Sequence, residues 1–579
     1  MSAGPNASGP NEADRDAWGS RRYDRRDLLG IGARAVGGAV LLGGAPALLA
    51  ACSGGSGGSS AANAGGSSTT TAGKPRYGGT LTVGISAETN GLNPAASDFT
   101  SPAVYYARAV FDTLTVQASD GTVKPYLAQA VTPNASYDVW TITLRPGVVF
   151  HDGTPLDADA LVTYFDQVIA SPTYSITLQK LIKSVTKTGD LTVALNMGQP
   201  WVAFDAYLSG GTGGAAQMGF IPSPKMLTDP NGANHPVGTG PFVFSHWDSN
   251  VQFVVTRNPH YWRAGLPYLD GITFKPIPDE TARWQTLQAG GVQLIHSGDY
   301  GIINTLMGQS RYAVLSNLHG DVGEPSQNFV MLNTQVAPLD DLRVRQALAY
   351  ATDQKKLIQL TEFNLVSPSS GPFEPGNPWY APTGYPSYDP AKAQALVKAY
   401  EADKGPISFP ILTAGTSNLN QLQALQSMWK QVGITVSAIK SETSTAQIGD
   451  ILVGRYSAAS WGQFSAPDPD MNYPFWSPTT VAPLGTFAVN FARNADPRIE
   501  AALQIGRTNP DNAARVKAYQ DVAGLLAADV PYIWTGRAVG AVAVSSNVKN
   551  YDVGLGLPGG GRASALNGSN VWLTEAWVV

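Results

Sequence analysis

Cysteine is almost absent from this chain: there is one, Cys52, in 579 residues. Without a second thiol there is no disulfide framework and no cysteine-rich zinc site. The six histidines (His151, His235, His246, His260, His296, His319) show no metal-ligand spacing, which leaves no sequence support for a structural zinc or a cysteine nucleophile. Charge is sparse as well, at 14% of residues, against roughly 25% in average domains. Beyond residue 52 the chain has 32 basic and 38 acidic side chains, a formal charge of −6. No basic surplus points to nucleic acid or to an anionic membrane surface. Long apolar runs are missing too. A transmembrane helix needs about 20 predominantly apolar residues, and the best stretch, 35–51, is broken by Gly37, Gly38, Gly43, Gly44 and Pro46. There is no internal repeat.

What is present begins at the N-terminus. Arg25-Arg26-Asp27-Leu28-Leu29 precedes the uncharged stretch, which ends at Leu49-Ala50-Ala51-Cys52. From Ser53 to Gly73 only Ser, Gly, Ala, Asn and Thr occur. The order basic, apolar, small-residue cleavage site, cysteine, flexible tether resembles a bacterial lipoprotein signal, in which Cys52 is diacylated and becomes the mature N-terminus. The paired arginines resemble the twin-arginine export signal, with Arg21-Arg22 as an alternative extension of the positive region. As a Gly/Ser coil the tether spans roughly 25 Å root-mean-square. The remaining chain, about 500 residues, exceeds the size at which a single core stops growing, so two or more domains are expected.

Strand and helix signals alternate as in an α/β protein. Thr80–Ile85 and Val139–Leu144 read as strands, and Phe242 to Trp247 with Val251 to Thr256 as a hairpin. Asp157 is placed to cap a helix with Leu161, Phe165, Val168 and Ile169 on one face. Asp341 and Asp389-Pro390 cap two further helices. Val432-Gly433 ends another before the strand Ile434-Thr-Val436, and Asn509-Pro510 opens a late helix that stops before Pro531.

Catalytic motifs fail on context. Gly54-Gly-Ser56-Gly-Gly58 has the letters of a nucleophile elbow but lies in the tether. Gly554-Leu-Gly556-Leu-Pro-Gly559 has those of a dinucleotide fingerprint, yet Pro558 interrupts it and no helix signal follows. The alternative of an exported hydrolase therefore has no placed nucleophile or carboxylate pair.

Longer segments carry a resemblance. Pro125-Tyr-Leu-Ala128 and Trp140 through Pro155 (WTITLRPGVVFHDGTP) with Asp157-Ala-Asp159 open the series. Gly238-Thr-Gly-Pro-Phe242, Arg257-Asn-Pro-His-Tyr-Trp262, Leu332-Asn-Thr334, Asp341 through Ala351 with Asp353, and Trp461 with Asp468-Pro469 follow in order. From about residue 77 to about 550 the chain resembles the family 5 solute-binding proteins, the extracytoplasmic receptors of peptide, nickel and opine ATP-binding-cassette (ABC) importers. The residues of these motifs read mostly as scaffold. His151-Asp152-Gly153 reads as a turn, Gly238, Gly240 and Pro241 as backbone-constrained, and Tyr261 and Trp262 as packing.

The resemblance implies an α/β chain of the type II periplasmic-binding-protein-like fold (cluster C), two lobes with a hinge plus an extra inserted subdomain. The division expected is 1–52 signal peptide with lipobox, 53–76 tether, 77–112 with 237–326 and 536–579 as lobe I, 113–236 as the family-specific subdomain, and 327–535 as lobe II. Two hinge crossings are expected, near Asn328 to Asn333 and near Tyr532 to Thr535. The implied function is a membrane-anchored receptor that captures a peptide or peptide-like solute between its lobes and delivers it to a permease with its ATPase subunits. A nickel, metallophore or other small-solute receptor is the alternative. No cofactor and no nucleic-acid partner is expected, and the chain reads as a monomer.

For the cleft the resemblance offers Asn93 in Gly91-Leu-Asn-Pro94, Tyr105 with Tyr106 nearby, and the stretch Ala458 to Phe464. In that stretch Ser460, Trp461, Gly462 and Phe464 are the candidates, with a strand edge that would bind a peptide as an added strand. In peptide-binding relatives an aspartate about three residues after the tryptophan accepts the ligand's ammonium group. Here Trp461 is followed by Gly462, Gln463, Phe464 and Ser465, and the first acid is Asp468. Asp468 is accordingly a candidate to orient the loop or pair with a cation. An unpartnered buried ammonium is costly, so the ligand expected is a longer or N-blocked peptide.

Overall fold

Leu81, Val83 and Ile85 alternate with Thr80, Thr82 and Gly84 and are fully buried, the period-2 signature of a strand with a covered face. In the computed structural model the described residues are 73–579 apart from 98, 173, 175–177, 179–180, 212–215, 320–326, 464–465 and 568–569. Cys52, the export signal and Phe464 lie outside the described residues.

Thr80–Ile85 is the middle of a seven-stranded mixed sheet. Its order is Tyr312–Ser316, Ala541–Ser545, Leu294–Ser297, Thr80–Ile85, Gly271–Pro276, Gln252–Arg257, Phe242–Asp248. The central strand pairs in parallel with both neighbours, and the outer pairs are antiparallel, including the 242–257 hairpin read from the sequence. The helix Ser101–Val110 covers this sheet with Val104, Tyr106 and Val110 fully or almost fully buried.

A four-stranded antiparallel sheet, in the order Ala128–Pro133, Val139–Leu144, Thr192–Met197, Ile182–Gly189, forms a second layer. Trp140, Ile142 and Leu144 face the helix Ala158–Ala170, whose Leu161, Tyr164, Phe165 and Val168 complete one core. Asp157 caps that helix, its side chain accepting from the Ala160 amide at 2.9 Å, a contact worth about 1 kcal/mol. His151 and Asp152 form the expected turn: His151 Nε2 lies 3.0 Å from the Gly240 carbonyl, and Asp152 accepts from Thr154 N and Ser223 Oγ. Gly240 is required by close approach, since a Cβ there would sit 2.5 Å from the Val110 carbonyl carbon.

The third sheet has five strands, in the order Thr435–Glu442, Ser408–Ala414, Ala458–Gly462, Gln327–Leu332, Tyr532–Arg537. The helices Leu342–Tyr350 and Pro390–Lys404 flank it, capped by Asp341 and Asp389 as the sequence indicated. Gly433, at φ +98°, turns the end of the helix Leu419–Lys430 into the strand Thr435–Glu442.

The late helix stops before Pro531 as expected but begins two residues on, Asn512–Asp529 starting from Asp511, whose carboxylate accepts from the Ala514 amide, and a separate helix Pro497–Thr508 precedes it and ends at Asn509. Asn509 thus ends one helix instead of opening the next. The residues expected at the hinge lie within a sheet: Asn328 to Met331 pair antiparallel with Gly536, Trp534, Ile533 and Tyr532 of the edge strand Tyr532–Arg537. The chain leaves that sheet instead between Ser316 and Gln327 and between Arg537 and Ala541.

Candidate functional site

Phe329 and Met331 project from one face of the Gln327–Leu332 strand, and Trp461 from the same face of Ala458–Gly462, because alternate residues of a strand share a face. With Gly462, Gln463, Tyr532, and Asn472, Phe475, Trp476 and Phe491 from the next segments, they line a small, partly open pocket of about 20 Å³. Trp461 and Phe491 meet edge to face, with centroids 5.6 Å apart. Among the described residues no charged side chain lines the pocket. Burial raises the Tyr532 hydroxyl well above its usual range, so it stays neutral. This surface suits an apolar or aromatic group bordered by a few amides.

The strand that carries Trp461 lies inside the sheet, which corrects the expectation of an extended edge. It pairs with Gln327–Leu332 along its whole length. On the other side its ladder stops at Ala459, because Ser408–Ala414 diverges beyond Leu412. The open side covers only Ser460 to Gly462, and there the Ser460 carbonyl accepts from Gln447 Nε2 at 3.1 Å. Ser460 itself faces the opposite side of the sheet, its Oγ accepting from Asn418 Nδ2 at 3.1 Å. Any added strand would have two residues to pair with.

The structure brings Trp461 and Gly462 to the pocket and places Asn93, Tyr105, Ser460 and Asp468 elsewhere. Asn93 Oδ1 accepts from the Ala95 amide and so closes its own turn. Tyr105 is buried on its helix beside His296, with ring centroids 5.8 Å apart, and Tyr106 packs on Phe253 and Phe274. Asp468 caps the turn Pro469–Asn472 and bonds Arg515. The residues that sequence reasoning missed are the aromatic ones: Phe329, Phe475, Trp476, Phe491 and Tyr532. The run Tyr473-Pro-Phe-Trp476, three residues after Asp468-Pro469, was the available signal.

Near the crossings, Tyr300 of the helix Tyr300–Met307 donates to the Arg537 carbonyl at 2.7 Å and accepts from Asn328 Nδ2 at 3.0 Å. One side chain packed under the seven-stranded sheet thereby touches both strands that enter the five-stranded one. Beside it Glu362, fully buried, accepts from Gln421 Nε2 at 2.6 Å, and burial pushes its carboxyl up to about 8.

Two α/β lobes joined by two crossings, with an uncharged aromatic pocket at the crossing end of one sheet, define a two-lobed solute-binding protein. Known proteins agree. The model of the bacterial extracellular solute-binding proteins, family 5 (Middle), matches residues 122–482. The chain is 29% identical over 437 residues to the glutathione-binding protein GsiB of Pectobacterium atrosepticum, covering 70% of this chain and 80% of that one. It is 28% identical over 486 residues to the nickel-binding periplasmic protein of Escherichia coli, covering 78% and 88%. Among solved structures, the periplasmic binding protein DppA of Helicobacter pylori, in complex with the peptide STSA, superposes with a TM-score of 0.75 at 21% identity, covering 87% of this chain and 98% of that one. The chain belongs to family 5 of the bacterial extracellular solute-binding proteins. It is a receptor of the ABC-importer type, works outside the cytoplasm, and is not an enzyme.

Proposed function

We propose that this receptor captures a peptide or peptide-like solute between its lobes, seats an apolar group in the aromatic pocket, and hands the solute to an ABC permease. The observation that carries this reading is the pocket around Trp461, whose lining is aromatic and uncharged. The glutathione-binding and peptide-bound relatives support a peptide-like ligand. Asp468 is committed to Arg515 and so is not free to serve as the counter-charge for a ligand's ammonium near Trp461. The favoured ligand is therefore an N-blocked or longer peptide.

The lobes are read as 77–112, 237–326 and 536–579 against 327–535, with 113–236 as the insert. Cys52 is read as the lipid attachment point, which would hold a monomeric receptor on the outer face of the membrane through its Gly/Ser tether.

Calorimetric titration with matched free and N-acetylated tri- to pentapeptides containing Phe, with glutathione and with a nickel–histidine chelate tests the reading. Tighter binding of the N-acetylated Phe peptides is expected. Binding of the nickel chelate alone would replace this reading with a metallophore receptor.

A further inference from the structure

Asp470 and Arg507 form an ion pair with neither side chain exposed, Arg507 Nε donating to Oδ1 at 2.9 Å and Nη2 to Oδ2 at 3.2 Å. Both belong to the chain around the five-stranded sheet. Two further donors reach Asp470 from the other side, on the segment that follows the four-stranded sheet. Trp201 Nε1 donates to Oδ2 at 2.8 Å, and the Tyr207 hydroxyl to the Asp470 carbonyl at 2.7 Å. The Val202 amide donates to the Arg507 carbonyl at 2.9 Å. Met471 and Ala466 complete the hydrophobic core of the four-stranded sheet, although they are more than 240 residues from its last strand.

We propose that the turn Asp468–Asn472 is the closing latch of the receptor: Trp201 and Tyr207 dock on Asp470 when the lobes close and leave it when they part. The inference rests on the two-lobed capture reading above.

The chemistry makes such a contact close to all-or-none. Buried polar groups in a dry interface need their donors, and a half-parted surface would leave the Asp470 carboxylate short of Trp201 and the Asp470 carbonyl short of Tyr207. Fully parted, water replaces Trp201 and Tyr207. The segment is also anchored on its own side, since Thr115 donates through Oγ1 to the Asp205 carbonyl at 2.8 Å and through its amide to the Leu208 carbonyl. It is therefore built to travel with the insert.

Asp205 gives the latch a pH dependence. Its carboxyl faces Asp468 and Arg515, with Tyr207, Tyr519, Asp470 and Arg507 in the adjoining network. Burial and then the Asp468 charge push it from 3.8 up to about 6, with Arg515 acting the other way. The docked form thus holds a proton that the parted form has released between pH 4 and 6. Docking is strongest below that window, weakens as pH rises through it, and levels off above it. A shift of this size allows about a tenfold fall in the closed-to-open ratio between pH 5 and pH 7.

The test uses the full chain with Cys52→Ser and spin labels at exposed cysteine pairs, read as distance distributions without ligand. Thr188→Cys with Ala513→Cys reports insert against five-stranded sheet. Thr188→Cys with Gln288→Cys reports insert against seven-stranded sheet. The expected result is that Trp201→Phe and Tyr207→Phe lower the short-distance population of the first pair at both pH values and leave the second pair unchanged. In wild type the ratio of short- to long-distance populations falls about tenfold from pH 5 to 7, and in Asp205→Asn it does not. A first-pair distance indifferent to both substitutions and to pH would overturn the latch, as would a second-pair distance that changes with it. Should a Trp201 variant fail to fold, the wild-type and Asp205→Asn pH series decides alone. No ligand enters the readout, so failure of the peptide reading leaves this test standing.

Discussion

Arg515 Nη2 bonds both carboxylate oxygens of Asp468, at 2.8 and 2.7 Å, and the two side chains are 8% and 13% exposed. The first acid after Trp461 is thus neutralised within the protein. Its carboxylate also accepts from the Asp470 amide, so one residue holds the turn and the cation together.

Replacing Asp468 by Asn should therefore act on stability more than on ligand choice. Breaking a largely buried pair leaves Arg515 without its counter-charge, at a cost of about 3 kcal/mol. Urea unfolding of Asp468→Asn should show that loss, while its preference between free and N-acetylated peptides stays that of wild type. A variant as stable as wild type that loses a preference for free amines would assign Asp468 to the ligand.

Trp461→Ala should remove the floor of the pocket. Its edge-to-face contact with Phe491 positions the indole, and truncating a buried aromatic contact of this kind typically costs about 2 kcal/mol or more in binding. An affinity loss of at least about tenfold for Phe-containing peptides is expected, with a smaller loss for Trp461→Phe. Equal affinity in all three proteins would place the ligand elsewhere.

The scaffold was readable where a local rule fixes it. Asp157, Asp341 and Asp389 are caps because a carboxylate at that spacing satisfies helix amides, and no tertiary knowledge is needed to see it. Asn509 misled because Asp511, two residues on, offers the better cap and Asn509 serves as the end of the preceding helix. The site was readable only at Trp461 and Gly462. Phe329 and Tyr532 join them through antiparallel pairing of strands about 130 and 70 residues away in sequence, and no local pattern encodes that register. Asn93 was offered by the resemblance and Asp468 as the first acid after Trp461, but Asn93 spends its side-chain oxygen on the Ala95 amide and Asp468 its carboxylate on the Asp470 amide and Arg515.

Export and anchoring have their own test. Cys52→Ala should abolish acyl labelling and release the receptor into the soluble fraction, and a labelled product of unchanged size would remove the lipid anchor from the proposal. Exchanging Arg25 and Arg26 for Lys should block translocation by the twin-arginine route; normal export would instead assign the chain to the general secretory pathway.

Glu362 predicts how stability depends on pH. Its Oε1 accepts from Gln421, its Oε2 has no hydrogen-bond partner among the described residues, and a Cβ at Gly536 would lie 3.0 Å from that oxygen. Burial pushes the carboxyl from 4.5 up to about 8, and the Gln421 bond only partly offsets this. The folded chain therefore keeps a proton that the unfolded chain has already lost between those two values, so this group lowers stability as pH rises through that window. The slope is at most about 1.4 kcal/mol per pH unit, and above pH 8 the contribution is constant. Glu362→Gln retains an oxygen for Gln421 and cannot ionise, so it removes the slope. Urea unfolding of the two proteins at pH 5, 7 and 9 should give similar stabilities at pH 5 and an increasing advantage for the variant towards pH 9. Parallel pH profiles would mean that Glu362 is already ionised in the folded protein, and that the polar layer beside Gly536 carries a counter-charge or water that stabilises it.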